Sequence, residues 1–230
     1  MAPTAEIKVL ASMAIKEAYV ELVPEFERAS GHRVATTWSG TVDMLRRLSG
    51  GETADLVIMS GAAIDELIAL GRIVPGSRVD LVKSAIGVAV RAGAQRPDIR
   101  TAESVTRALL SAKSVAYSTG PSGVHLAELF ERIGIAGALA PKLRVVRGEP
   151  VGAVIARGEA EIGFQQVSEL LPVAGIDYLG PLPEGLQRIT VFSAGLHAGA
   201  REPEAARALV GFLTAPAAAP MISKKGMQPA

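Results

Sequence analysis

Cysteine is absent from the 230 residues of this sequence. Its absence excludes structural disulfides, thiol catalysis and cysteine-ligated metals. Aromatic residues make up only 4% of the chain, whereas 49% of it is hydrophobic, so we predict an aliphatic core. The chain is long enough for one large domain or two small domains built around such a core.

An excess of charge of either sign is also missing, because 24 basic and 23 acidic residues leave a net charge of +1. We therefore expect neither nucleic acid nor an anionic membrane surface as a partner.

No apolar run approaches the roughly 18 to 20 residues that a membrane-spanning helix needs, so we expect no membrane insertion. Residues 1–6 are too short and too polar for a signal peptide. The expected location is periplasmic if a leader has been removed, and cytoplasmic otherwise.

Several motifs of catalysis and cofactor binding are missing as well. The sequence has no P-loop, no G-x-G-x-x-G after a strand, no H-E-x-x-H and no G-x-S-x-G. Its histidines, His32, His125 and His197, lie far apart and lack the spacing of metal ligands. We expect no bound metal and no cofactor.

The sequence does contain a repeated alternation of short apolar runs and amphipathic stretches. Strands are predicted at residues 7–11, 34–38 and 54–59, and a helical pattern follows each of them. This order is typical of a parallel sheet flanked by helices, in which ligands bind beyond the carboxyl ends of the strands. A second series begins near residue 85. We expect residues 1–84 and 197–230 to form one lobe and residues 85–196 to form the other.

Two details of the helices are predicted from single residues. Pro24 is expected to bend or end the first helix, because proline lacks the amide hydrogen that the helix interior needs. The last stretch, residues 217–227, is expected to form a short helix whose two lysines suit its negative end.

The stretch from Val115 to Leu126 reads Val-Ala-Tyr-Ser-Thr-Gly-Pro-Ser-Gly-Val-His-Leu. It predicts a buried strand, a loop of small residues and a helix. The first amide hydrogens of a helix lack internal partners, and the helix dipole is positive there, so this junction suits a small anion. The alternative is an ordinary helix cap, since serine is common before helices.

Six segments resemble one known family in their order and spacing. They are Ile7–Ala18 (IKVLASMAIKEA), Phe26–His32 (FERASGH), Ala54–Ser60 (ADLVIMS), Gly120–Gly123 (GPSG), Ala160–Gly163 (AEIG) and Phe212–Pro216 (FLTAP). The chain is similar to type 2 periplasmic solute-binding proteins, in particular to the ModA-like, molybdate-binding proteins of ABC importers. The resemblance implies two α/β lobes, each with a mostly parallel sheet flanked by helices. It also implies a hinge of two strands and closure over a ligand in the cleft between the lobes.

The resemblance also places the ligand contacts. The family's first contact, a serine, falls on Ala14, and the second falls on Thr41. The third, a backbone donor, falls on Ser122, the fourth lies near Gly148 or Glu149, and the fifth, a tyrosine in molybdate proteins, is Gln166. The full predicted ligand-binding set is Ser12, Met13, Ala14, Ser39, Gly40, Thr41, Ser118, Ser122, Gly123, Glu149 and Gln166.

Two side-chain donors of the molybdate proteins are thus replaced, one of them by a methyl group. A tetrahedral oxyanion in a dry pocket needs many directed hydrogen bonds. We therefore expect an organic carboxylate as the ligand, and keep molybdate, tungstate or sulfate as an alternative. The expected protein is a monomeric solute-binding protein, and if it is exported, its expected partner is an ABC permease.

A second alternative is an enzyme, because one branch with this fold is similar to aconitate isomerase. Its chemistry requires a general base and donors for the carboxylates. The candidate bases are His125 and Glu149, and Lys16 or Arg147 would hold a carboxylate. Each has an ordinary explanation: His125 as a solvated side chain, Lys16 as a surface residue and Glu149 as part of a helix start. Arg46 and Arg47 are read as a solvated face, and Trp38 as core packing. On balance we expect a binding protein rather than an enzyme.

Overall fold

The protein contains two mixed β-sheets with helices on their faces, which confirms the predicted α/β class. This architecture is taken from a computed structural model that describes residues 4–230. The chain divides into two compact units. The first contains the residues up to Lys83 together with Val191–Ala230, and the second is Ser84–Thr190. The second crossing therefore lies after Thr190, whereas the sequence placed the boundary after residue 196.

The first unit begins with four strands and three helices. In chain order they are β1 (Glu6–Ser12), α1 (Lys16–Ser30), β2 (Arg33–Ser39), α2 (Thr41–Ser49), β3 (Leu56–Ser60), α3 (Gly61–Ala69) and β4 (Val79–Ser84). A 3-10 turn, Met13–Ile15, joins β1 to α1.

The second unit has five strands and five helices among its described elements. They are β5 (Ile86–Arg91), α4 (Ala102–Ser111), β6 (Val115–Ser118), α5 (Pro121–Arg132), α6 (Ala136–Leu139), β7 (Leu143–Val146), α7 (Val151–Ala156), β8 (Ile162–Gln166), α8 (Val167–Leu170) and β9 (Ile176–Pro181).

The chain then returns to the first unit. The returning elements are β10 (Thr190–Leu196), α9 (Pro203–Leu213), α10 (Ala219–Lys224) and β11 (Gln228–Pro229). The first sheet has the strand order β11-β4-β10-β3-β1-β2. Strands β2, β1 and β3 run parallel, and β10 pairs antiparallel with β3. The carboxyl ends of β1 and β2 meet in register, since Ser12 lies opposite Ser39.

Helix α1 shows how the apolar pattern builds the first unit. Ala18, Tyr19, Leu22 and Phe26 recur at helical spacing and are all buried against the sheet. The helix continues through Pro24 to Ser30, so of the two predicted effects of Pro24 an end of the helix is wrong, and a bend stays a prediction. Proline removes one hydrogen bond from the helix interior, and the buried face of α1 offsets that loss by its packing. The helix ends at Gly31, whose φ of 77° is the left-handed conformation of a C-cap glycine.

A buried aspartate joins the returning segment to the start of the chain. Asp55 Oδ2 accepts a hydrogen bond of 2.7 Å from the backbone N–H of Lys8. Asp55 Oδ1 accepts from the N–H groups of Arg201 and Glu202 at 2.7 and 3.0 Å, just before α9. The carboxylate therefore satisfies backbone donors that come from residues nearly 150 positions further along the chain.

The second sheet has the order β7-β6-β8-β5-β9. Strands β7, β6 and β8 are parallel, so the ends of all three lie at one edge of this sheet, which we call the second carboxyl edge. The corresponding edge of the first sheet, where β1, β2 and β3 end, is the first carboxyl edge. Helix α7 packs so closely on the second sheet that a side chain at Gly163 would collide with Val151 and Ile155.

The sequence did not predict the three strands β4, β9 and β11. Strand β4 carries Asp80 and Lys83 among its apolar residues, and β9 lies in a segment of glycine and proline breaks. The predicted helix over residues 217–227 is shorter, because α10 spans Ala219–Lys224 and β11 follows. In these segments tertiary pairing overrides the local pattern.

Within residues 4–230, no single helix is long and apolar enough to cross a membrane. The pair Pro203–Leu213 and Pro216–Lys224 is long and apolar enough only when its two helices are taken together, and they are bent by 56°. Most of the apolar residues of this pair belong to the core of the first unit.

Candidate functional site

The first carboxyl edge begins with Ser12, the last residue of β1. Its Oγ accepts a hydrogen bond of 3.4 Å from the N–H of Ala14 and so caps the 3-10 turn. In this role Ser12 still has its own hydroxyl proton to donate. Met13 is half-buried, and Ala14 is buried in the core of the unit. The turn itself was not predicted from the sequence, and the predicted ligand contacts at Ser12, Met13 and Ala14 stay a prediction.

Strand β2 ends beside it at Ser39, and α2 begins after Gly40. The N–H of Met44 donates to the carbonyl of Gly40 at 3.0 Å, so helix geometry leaves the N–H groups of Thr41 and the next two residues without intrahelical acceptors. Thr41 is half-buried and no partner is found for its hydroxyl among the described residues. Such a helix start is able to donate to an anion.

An acidic side chain also lies at this helix start. Ser39 Oγ–H donates to Asp43 Oδ2 at 2.6 Å, and Arg46 donates to Asp43 Oδ1 at the same distance. The Ser39 hydrogen bond, followed by that from Arg46, holds the pKa of Asp43 below its usual value. Arg47 forms a two-point ion pair with Glu52. Arg46 and Arg47, which were expected to form a solvated face, are therefore ion-paired with Asp43 and Glu52. Asp43 also accepts the hydrogen bond of the Ser39 hydroxyl.

Two further residues lie close to this edge. Lys16, the first residue of α1, is half-buried and forms no ion pair within residues 4–230. Trp38 is half-buried and meets Tyr19 edge to face, with ring centroids 5.2 Å apart. Packing explains Trp38, whereas Lys16 retains a positive charge that no acidic side chain neutralises.

The second carboxyl edge contains the loop between β6 and α5. Ser118 Oγ accepts from the N–H of Gly120 at 3.3 Å and lies 3.5 Å from Ser122 Oγ. Pro121 is the first helical residue, so the N–H groups of Ser122 and Gly123 are the first two of α5 and have no intrahelical acceptor. A side chain at Gly123 would overlap the carbonyl of Ser118. The loop is therefore closed so tightly that only glycine fits at this position.

His125 lies one turn further along α5. It is 3% exposed, so the reading of His125 as a solvated side chain is wrong. Its Nε2 lies 2.8 Å from the carbonyl oxygen of Leu186, which requires a proton on Nε2 and leaves Nδ1 as the basic nitrogen. Nδ1 is buried and has no partner among the described residues. The turn that contains Leu186 covers this face of the helix, and local sequence offers no sign of it.

The loop after β7 carries two of the other candidates. Glu149 accepts two hydrogen bonds from Arg157, at 2.9 and 3.1 Å, and is exposed. Pro150 is the N-cap of α7, as the helix-start explanation expects. Arg147 is exposed, and no ion pair or hydrogen bond is found for it in the described part of the chain. Of the two charges in this loop, the cation is available to a ligand and the carboxylate is already paired.

Gln166 ends β8, but its amide is 1% exposed and surrounded by the two crossings between the units. In the orientation that satisfies both ends, Nε2 donates to Ser84 Oγ at 3.0 Å and to the carbonyls of Ser84 and Ala85 at 3.2 Å. Oε1 accepts from Thr190 Oγ1 at 3.0 Å. The predicted ligand contact therefore already uses its amide on the chain segments that lead into and out of the second unit.

Two polar residues next to Gln166 were not selected from the sequence. Gln165 is buried, and Glu169 accepts a hydrogen bond from its amide at 2.8 Å. Burial raises the pKa of Glu169 to about 7. Their surroundings come from α7, so the local pattern of alternating apolar and polar residues did not reveal them. In residues 4–230 no group of three His, Asp or Glu side chains gathers at metal-ligand distances.

Among known proteins, the chain is 41% identical over 233 aligned positions to an aconitate isomerase from a Pseudomonas species. The match covers 99% of this chain and 89% of that protein. Two solved structures share its fold at low identity. The periplasmic molybdate-binding protein of Azotobacter vinelandii is 17% identical with a TM-score of 0.80, over 96% of this chain and 98% of that one.

The sulfate-binding protein SubI of Mycobacterium tuberculosis is 18% identical with a TM-score of 0.80, over 98% of this chain and 87% of that one. At such identities the likeness concerns the fold, and it confirms the predicted resemblance to molybdate-binding proteins at that level. A family model described as a bacterial extracellular solute-binding protein matches residues 7–228. The chain therefore belongs to the bacterial extracellular solute-binding protein family.

Proposed function

We propose that this protein binds small polycarboxylates of the aconitate class and interconverts the geometric isomers of aconitate. The observation that carries the proposal is the 41% identity to an aconitate isomerase over 99% of the chain. The sequence analysis kept this activity as an alternative to simple binding, and the extent of the match now favours it.

The charges at the two carboxyl edges support a ligand with several carboxylates. Lys16 and Arg147 are cations without acidic partners in the described residues, one at each edge. The first N–H groups of α2 and α5 add donors that favour negative charge. Ser12 and Thr41 contribute hydroxyl groups whose protons remain available. Charge-assisted hydrogen bonds of this kind are the strong ones in carboxylate recognition.

The chemistry of the proposed reaction is a proton shift along three carbons. A base removes a proton from the methylene carbon of the ligand, and the C–H electron pair forms a new double bond. The old double bond takes up a proton at the other end, so the product has the composition of the substrate. The developing negative charge spreads into the carboxylates, which the N–H groups and cations would stabilise.

The direct test is an NMR time course. The protein is incubated with cis-aconitate, and we expect trans-aconitate to accumulate and the methylene protons to exchange in deuterated water. Arg147→Met should raise KM roughly 10- to 100-fold, because a charged hydrogen bond contributes about 1.5–3 kcal/mol. Arg132→Met, an exposed cation in the last turn of α5, is the matched control and should leave KM unchanged. Binding without any turnover or exchange would refute the isomerase proposal.

The second candidate function is capture of a carboxylate for ABC-type uptake, which the family description favours. It also favours a periplasmic location, with an ABC permease as the partner. The replacement of two oxyanion donors, at Ala14 and Gln166, speaks for an organic ligand. Calorimetry with aconitate and with molybdate tests this choice. Tight molybdate binding would reinstate the inorganic oxyanion as the ligand.

The expectation that one ligand engages both carboxyl edges through hinge closure stays a prediction. The variants Thr41→Ala and Arg147→Met change one edge each. If both residues contact the same bound ligand, the loss of affinity in the double variant should differ from the sum of the single losses. Additive losses would speak against a shared ligand. Sedimentation of the same samples tests the expected monomer.

A further inference from the structure

A carboxyl group without a positively charged partner lies just beyond the end of β8. Glu169 is the third residue of α8, and its Oε1 accepts a hydrogen bond of 2.8 Å from Gln165 Nε2. In the described part of the chain no lysine, arginine or histidine pairs with it. Its second oxygen, Oε2, has no protein donor there. Glu149, the other carboxyl near this edge, differs because both of its oxygens accept hydrogen bonds from Arg157.

The hydrogen bond from Gln165 has a fixed direction. The N–H of Val151, the first residue of α7, donates to Gln165 Oε1 at 2.8 Å. The amide oxygen is thus occupied, and only the amide nitrogen can face Glu169. A carboxylate and a neutral acid can both accept this bond, but the carboxylate accepts it more strongly, so the bond lowers the pKa of Glu169 and partly opposes the effect of burial. The chain of two hydrogen bonds places Glu169 beside the start of α7, directly after the loop that carries Arg147.

Glu169 is half-buried and lies next to an apolar cluster. Helix α8 packs on β5, β8 and α7, and Leu170 of α8 belongs to the same buried cluster as Val151 and Ile155 of α7. Tyr178 of β9 packs on this cluster, beside Gly87 and Leu170. With no cation to offset desolvation, the pKa of Glu169 rises to about 7. The group is therefore able to hold or release a proton at physiological pH.

We propose that Glu169 is the base that removes and returns the proton in the isomerisation. This inference rests on the proposed function. Oε2 takes the proton from the methylene carbon, and the C–H electron pair becomes the new double bond. The same oxygen then delivers the proton to the carbon at the other end of the three-carbon unit. The proton and the electron pair both remain within the ligand and Glu169, so no further reactant is required.

A structural role explains the residue less well. Gln165 needs only an acceptor, and a glutamine at residue 169 would supply one without the desolvation of a charge. A half-buried carboxyl without a cationic partner destabilises the fold, and such groups concentrate at functional sites. His125 and Glu149 are the alternatives from the sequence, but His125 is covered by the Leu186 turn and Glu149 is ion-paired.

The test uses Glu169→Gln in the full chain. Glutamine keeps the shape and the acceptor for Gln165 but cannot take up a proton. We expect kcat to fall at least 100-fold and hydrogen exchange of the methylene protons to stop, while the aconitate Kd changes less than threefold. Glu131→Gln, an exposed carboxyl on the last turn of α5, is the matched control and should keep wild-type kcat.

The pH profile separates a base from a structural residue. Wild-type kcat/KM should rise with pH and reach half its maximum near pH 7, the pKa of Glu169. Glu169→Asp should keep this pH dependence at a lower rate, and Glu169→Gln should lose it. A Glu169→Gln variant with more than a third of wild-type kcat overturns the assignment of Glu169 alone. A wild-type protein that binds aconitate without turnover overturns the isomerase proposal and, with it, this one.

Discussion

The two carboxyl edges are built from the same strand-loop-helix pattern and each has a cation without an acidic partner, but the first turns of their helices differ in charge. At the first edge, Asp43 lies in the first turn of α2 and accepts a hydrogen bond from the Ser39 hydroxyl. At the second edge, Ser118 and Ser122 face each other and Arg147 adds an unpaired cation. A helix start alone therefore does not determine how strongly an edge attracts an anion. Charged side chains in the first helical turn and in the neighbouring loops contribute as well.

The largest effect that distinguishes the edges is expected at Gly123, where the second edge depends on backbone contact. Gly123→Ala would force a side chain into the Ser118 carbonyl, so we expect the free energy of unfolding to fall by at least about 3 kcal/mol. Urea unfolding measures it. Gly211→Ala in α9, where no atom lies close, should be neutral or raise stability by up to about 1 kcal/mol. Equal results for both variants would show that the Ser118 loop adapts.

Gln166 tests whether a residue of the second edge binds ligand or holds the chain. Gln166→Leu leaves Thr190 and Ser84 without the amide, and we expect the unfolding free energy to fall by about 2 kcal/mol. Gln228→Leu, in exposed β11, should have almost no effect. If Gln166→Leu weakens aconitate binding and leaves the thermal midpoint unchanged, Gln166 is a ligand contact instead.

Glu169 makes the stability of the second unit depend on pH. Its folded pKa of about 7 exceeds the ordinary value of 4.5, so the folded state binds the proton more tightly than the unfolded state. The resulting stabilisation is complete below pH 4.5 and is lost as pH rises through 7. At pH 8, the free energy of unfolding of Glu169→Gln should therefore exceed that of wild type by about 3 kcal/mol, and near pH 4 the two should agree. A pH-independent difference would contradict the raised pKa.

The smallest effect is expected at Asp43, and it sharpens the contrast between the edges. Asp43→Asn keeps an acceptor for Ser39 but removes a negative charge from the start of α2. Aconitate should bind roughly threefold more tightly at low ionic strength, and the gain should shrink in high salt. Calorimetry at two salt concentrations measures this. Weaker binding in the variant would mean that Asp43 orients a ligand donor.

Features that depend on neighbouring residues in the chain were predictable. The ends of β1, β2 and β6 were placed within one or two residues, because a short apolar run followed by Ser, Gly or Thr marks where a buried strand gives way to a helix. Since parallel strands end at one edge, the grouping of Ser12 with Ser39 followed from that pattern. The family resemblance adds Ser122 as a contact to the same ligand, and that stays a prediction.

Features that depend on distant residues were not predictable in this way. His125 is buried because Leu186 lies 61 positions further along, and Gln166 is engaged because residues 84 and 190 pass on either side of it. Glu169 was overlooked, because its raised pKa arises from α7 and β5 and not from its own helix. Each of these residues is polar, and its surroundings depend on tertiary packing.

The division of the chain has a consequence for synthesis. The second unit, Ser84–Thr190, is one continuous segment, whereas the first sheet has β10 between β3 and β4 in its interior. Asp55 likewise cannot accept its hydrogen bonds from Arg201 and Glu202 until those residues have been synthesised. On the ribosome, the part of the protein made first must therefore remain unfinished while the part made later folds. The nascent amino-terminal strands stay exposed until the final forty residues arrive.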